Sequence, residues 1–141
     1  MMTTQVMNDV QAVADVAEKI KSDERQQFPA AASVGDFVRQ GDVYITLLGG
    51  IPKGSTVEKQ PSRQLAPGNT QGSRHCLSSL SGVEVYRLKD ATPYDGPVLD
   101  VSKPVTITHP EHGDWSLPCG VYGISYQRTE DSEGRIRRVQ D

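Results

Sequence analysis

Val43-Tyr44-Ile45-Thr46-Leu47 alternates apolar and polar side chains at every step. A period of two puts Val43, Ile45 and Leu47 on one side of an extended chain and Asp42, Tyr44 and Thr46 on the other, which is the pattern of a half-buried strand. Gly49-Gly50 and Pro52-Lys53-Gly54 stop it. The same texture recurs downstream. Val83-Glu84-Val85-Tyr86-Arg87-Leu88 reads as a second strand, and Val98 to Val101 and Val105 to His109 as two more, separated by Ser102-Lys103-Pro104. Val121-Tyr122-Gly123-Ile124-Ser125-Tyr126 follows the turn formers Pro118-Cys119-Gly120. Tyr94-Asp95-Gly96-Pro97 reads as a turn whose Gly supplies a positive φ. Residues 59–74 are polar and carry Pro61, Pro67, Gly68, Asn69 and Gly72, so a long loop is expected there. Five short strands with regular turn signals predict a mainly β fold, a small β-barrel or β-sandwich.

Upstream the texture changes. Val6, Val10, Val13, Ala17 and Ile20 recur at the spacing that lines up one helix face. Thr3 or Thr4 is a suitable N-cap, and Pro29 ends the pattern. This predicts an amphipathic helix over residues 4–26. Its seam is thin, and an isolated helix of that quality is marginal in water, so it must pack on its own domain or on a neighbour. Residues 29–36 read as a linker. The expected organisation is therefore an N-terminal helical arm and linker over 1–34, the β domain over 35–129 and a polar C-terminal tail over 130–141.

By length, the 141 residues point to one domain, or one domain plus an arm. Hydrophobic residues are 35% and charged residues 23%, with 13 Gly and 9 Pro, a turn-rich composition that still permits a core. The formal net charge of −3 argues against a nucleic-acid binder that relies on bulk electrostatics. No apolar run suggests a membrane span, and the first residues lack the basic head and apolar stretch of a secretory signal. The expected partners are thus other proteins, as a homo-oligomer or larger assembly, with neither nucleic acid nor membrane. The expected location is the cytoplasm or a virus particle.

Three histidines carry the chemistry most open to interpretation: His75 in Ser73-Arg74-His75-Cys76, and His109 and His112 in Thr108-His109-Pro110-Glu111-His112-Gly113-Asp114. Strand parity places His109 on the face of Val105 and Ile107. Pro110 then breaks the ladder, and a tight turn brings His112 back towards His109. Three neutral imidazoles with an open position suit a transition metal such as zinc or iron, with Glu111, Asp114 and Cys76 beside them as supporting groups. The plainer account is a hydrogen-bonded structural cluster. His75 and Cys76 cannot both face inward on an extended chain. A metal thiolate at Cys76, a Cys76–Cys119 disulfide and two inert thiols are all compatible with the spacing. Gly49-Gly50-Ile51-Pro52-Lys53-Gly54-Ser55 fails as a phosphate loop, because the lysine precedes the last glycine and no helix follows.

In order along the chain, Arg39-Gln40-Gly41-Asp42-Val43, Thr108-His109-Pro110-Glu111-His112-Gly113, Leu117-Pro118-Cys119-Gly120-Val121-Tyr122 and Tyr126-Gln127-Arg128 resemble the motifs of a family of small uncharacterised bacterial and phage-associated β-rich proteins. That resemblance covers about residues 39–139. It implies that His75 lies near His109 and His112, although Ser73 stands where the family carries the first histidine of Gly-His-x-His. A weaker architectural resemblance is to cupin barrels, whose His-x-His-x₃₋₄-Glu spacing is not met here.

The function expected from these readings is a non-enzymatic interaction or assembly module, a structural component in a phage setting, whose helical arm docks on a neighbouring subunit. The alternative is a metal-dependent cupin-like enzyme, or a small-ligand-binding barrel, using His75, His109 and His112. No catalytic residue is assigned.

Overall fold

A computed structural model of the chain describes residues 26–66, 74–130 and 136–138. Its strands are β1 (Gln26–Gln27), β2 (Phe37–Gln40), β3 (Val43–Leu48), β4 (Thr56–Val57), β5 (Cys76–Leu77), β6 (Val83–Arg87), β7 (Asp95–Val101), β8 (Val105–Thr108), β9 (Trp115–Leu117), β10 (Gly120–Tyr126), β11 (Arg128–Glu130) and β12 (Ile136–Arg138). Six of them form one sheet in the order β2-β3-β10-β7-β6-β4, and four form a second, β1-β9-β8-β5. β11 and β12 pair separately, β11 straddling the expected end of the β domain and β12 lying in the stretch expected to be polar tail. Every pairing is antiparallel except that of β1 with β9, which is parallel.

The mainly β expectation holds, and the expected strands fall within a few residues of those observed. A closed barrel does not form. β2 and β4, the strands that would have to meet to close the larger sheet, have four and two residues. They are bounded by Gly35, Gly54 and Pro61, which break ladders instead of extending them. Instead the two open sheets share one core. Val43 and Ile45 (β3), Val85 (β6), Leu99 and Val101 (β7), and Tyr122, Ile124 and Tyr126 (β10) meet Leu77, Val105, Ile107 and Leu117 of the smaller sheet. The period-two pattern survives in the burial along β10, where residues 122, 124 and 126 are buried and their neighbours only partly so.

The helix expected over residues 4–26 lies outside the described residues, except for Gln26, which belongs to β1. Beyond it, Phe28 is buried in the core with its ring edge-on to Tyr122 at 5.2 Å. Phe28, within the stretch 1–34 assigned to arm and linker, therefore packs with the β domain, and Ala32 of the linker lies against the same core. The polar stretch 59–74 also contributes: Leu65 and Ala66 are both buried, and the Tyr126 hydroxyl donates to the Leu65 carbonyl at 2.6 Å.

Gly96 corrects a further expectation. It is not at a turn with positive φ but inside β7. A Cβ there would sit 2.8 Å from Tyr126 Oη and 3.0 Å from the Ile124 carbonyl oxygen. The chain needs glycine for close approach, beside the register shift between Gly123 and Ser125. The turn itself lies just upstream, where Asp95 accepts from the Thr92 amide and hydroxyl.

Tyr122 ties the Leu117-Pro118-Cys119-Gly120 turn to β10 through its hydroxyl, which donates to the Pro118 carbonyl at 2.7 Å. Burial, with a smaller push from the Cys119 thiol, raises its phenol above the usual 10.0. The folded state thus holds this proton more tightly than the unfolded chain. The stability it confers is complete below pH 10 and is lost as pH climbs through the raised folded value. Tyr122→Phe is expected to cost about 0.5–1.5 kcal/mol at neutral pH through the lost hydrogen bond. Urea unfolding at neutral and strongly alkaline pH should show that cost shrinking above pH 10. An undiminished gap would contradict the assignment.

Candidate functional site

The sequence Gln40-Gly41-Asp42-Val43 makes the site possible. Gly41, with φ of 58°, opens the two-residue turn between β2 and β3, a position that a type II′ hairpin reserves for glycine. The turn holds Gln40 and Asp42 close together, and both are buried, at 0% and 2% exposure. A buried amide and a buried carboxyl need partners. They find them on His75, which is itself 0% exposed and immediately precedes β5.

The donor and acceptor roles follow from the network. Gln40 Nε2 donates to the carbonyls of Ile107 at 3.0 Å and Gly113 at 2.6 Å, so Oε1 is the atom that faces His75. His75 Nδ1, 2.8 Å from Oε1, must therefore carry a proton and donate. Nε2 lies 3.0 Å from Asp42 Oδ1. Either imidazolium meets carboxylate there, or a carboxylic acid donates to a neutral ring; in both forms one proton joins the pair. The backbone at His75 is pinned as well, because its carbonyl accepts from the Leu65 amide at 2.7 Å. The node thus ties the β2–β3 turn of the large sheet to β8 and the start of β5 in the small one.

His109 and His112 stand next to it. The 109–114 turn folds on itself: His109 Nδ1 accepts from the amides of Glu111 at 3.0 Å and His112 at 3.1 Å, and Asp114 Oδ1 accepts from the His109 amide at 3.3 Å. His109 is buried at 3% exposure, while Glu111 and His112 are exposed. Ring centroids are 4.5 Å apart for His75 and His109, 4.3 Å for His109 and His112, and 6.3 Å for His75 and His112.

The three histidines picked out in the sequence therefore converge. Both nitrogens of His75 already face protein groups, and so does Nδ1 of His109. Among the described residues no three His, Cys, Asp or Glu side chains are arranged to hold a metal ion. Cys76 and Cys119 are both free thiols, and Cys119 Sγ donates to the Ser102 carbonyl at 3.2 Å. Gln40 and Asp42 were not assigned to the site from sequence. The available signal was a pair of polar residues flanking one glycine directly before an apolar strand.

Fold and site together define a two-sheet β domain whose sheets are tied by a buried histidine–carboxyl pair. The chain belongs to the family described as Domain of unknown function (DUF8820), whose model matches residues 39–127. That extent has a structural counterpart: at its two ends, Arg39 Nη2 donates to Gln127 Oε1 at 2.6 Å, and the Gln127 amide donates to the Asp42 carbonyl at 2.9 Å. Neither a curated protein nor a solved structure matches the chain.

Proposed function

We propose that this chain is an interaction module that joins copies of itself, with residues 1–25 as the connecting arm. The supporting observation is an apolar surface on the large sheet: Val34 and Phe37 are 68% and 59% exposed at its β2 edge. Single exposed apolar residues are ordinary; two large ones three residues apart, at and just before a strand that among the described residues has a partner on one side only, mark a place where chains associate. The histidines fit this reading as parts of the tie between the sheets.

Native mass spectrometry of the intact protein, purified without chelator, tests it. A metal-free multimer is expected, becoming a folded monomer when residues 1–25 are removed. The cut belongs at Arg25, because a cut at residue 34 would take Phe28 out of the core. A monomeric intact chain would refute the reading.

The convergence of the three imidazoles favours one rival, a metal site on His75, His109 and His112, with Glu111 as a proton carrier. It requires His75 to give up Gln40 or Asp42. A monomer carrying one stoichiometric transition metal, lost with His109→Ala and with His112→Ala but kept with Glu111→Gln, would establish that rival.

A further inference from the structure

We propose that the outer face of β2 and β3, centred on Phe37 and Tyr44, receives the apolar seam Val6–Ile20 of a second copy of the chain. This rests on the assembly reading above and names the surface that reading leaves open.

The receiving surface is built and held in place. Val43 and Ile45 point into the core, so Tyr44, Thr46 and Leu48 lie on the opposite face of β3, and Phe37 and Arg39 lie beside them on β2. The Phe37 and Tyr44 rings stack at 5.4 Å with an interplanar angle of 20°. The Arg39 guanidinium lies 5.6 Å from the Tyr44 centroid and is fixed by donating to the Gly41 carbonyl and to Gln127 Oε1, each at 2.6 Å. A surface whose side chains are already ordered loses little entropy when covered. Val34 extends it towards Gly49, and Val121, paired with Leu48, extends it across the sheet.

Size and charge indicate the occupant. The seam spans fifteen residues, about 22 Å as the expected helix. The six-residue strand β3 is about 20 Å long. The arm joins the domain at β1, and Lys21–Arg25 supply a tether of up to about 17 Å between seam and strand. Residues 1–20 carry Asp9, Asp15 and Glu18 against Lys19, opposite in sign to Arg39; of the acids beside the strip, Asp36 is engaged by the Ser33 amide, and Asp100 pairs with Val121 at the end far from Arg39.

The test uses full-length chains in sedimentation velocity. Phe37→Asp removes the receiving surface, and the double variant Val10→Asp/Val13→Asp removes the seam. Each alone is expected to associate at least tenfold more weakly than the unaltered chain. Their equimolar mixture is expected to form a heteromer, because it restores one intact seam and one intact surface. Val34→Asp stands in should Phe37→Asp disturb folding, which the urea midpoint reports.

Different failures have different meanings. If the unaltered chain is monomeric, the assembly reading falls. If the seam variant associates normally while Phe37→Asp does not, the strip meets its own copy and this proposal falls while assembly stands. A mixture that stays dissociated also overturns it, because it places the arm back on its own domain or on another surface.

Discussion

Asp42→Ala is expected to destabilise the domain by about 3–5 kcal/mol, because breaking a buried pair leaves its other member without compensation. His75 is fully buried, and its Nδ1 is committed as a donor to Gln40, so Nε2 loses its carboxyl partner inside the domain. Asp42→Asn should cost less, about 1–2 kcal/mol. An asparagine amide can donate to Nε2 of a neutral ring, preserving the hydrogen bond while giving up the charge. Urea denaturation of the three proteins checks this ranking. A loss below about 1 kcal/mol for Asp42→Ala would mean that the node is not a structural tie. The measurement also bears on function: a strong stability loss without any change in association would separate the histidine network from the docking surface.

Phe28→Ala is the second large effect. The ring is 3% exposed and lies edge-on to Tyr122, and truncating a buried Phe costs about 3–5 kcal/mol. For a domain of this size that lowers the melting temperature by roughly 12 °C or more. Calorimetry of the full chain is the direct check. A shift of only a few degrees would return Phe28 to the arm-and-linker stretch and restore a domain start near residue 35. The expected size of the effect is why the arm and the domain are divided at Arg25.

The elements that read most clearly from sequence are those whose side chains alternate without interruption. β3, β6 and β10 each carry a period-two pattern that starts at or just after a glycine, and each appears close to where it was expected. What escaped was set by tertiary contacts. Nothing local marks Phe28 as a core residue after a polar Gln26-Gln27 pair. Nothing local shows that Leu65 and Ala66 sink into the core from a turn-rich stretch, or that Gly96 is required by Tyr126, thirty residues on. Closure of the sheet was likewise illegible, since it depends on how far the short edge strands extend. At the site, parity along β8 placed His109 inward, and the turn at Pro110 returned His112 beside it. The partners of His75 were hidden by distance along the chain: Gln40 and Asp42 lie 35 and 33 residues away.

Those separations have a consequence in time. The node also draws on the Ile107 and Gly113 carbonyls, 67 and 73 residues from Gln40, so it can close only after both sheets have found their order. Contacts that demand such long loops come late, and late contacts weigh mainly on the rate of leaving the native state. In the kinetic arms of the same urea series, loss of Asp42 should therefore accelerate unfolding far more than it slows folding. The buried histidine then acts less as a seed of the structure than as the catch that sets how long a finished domain lasts.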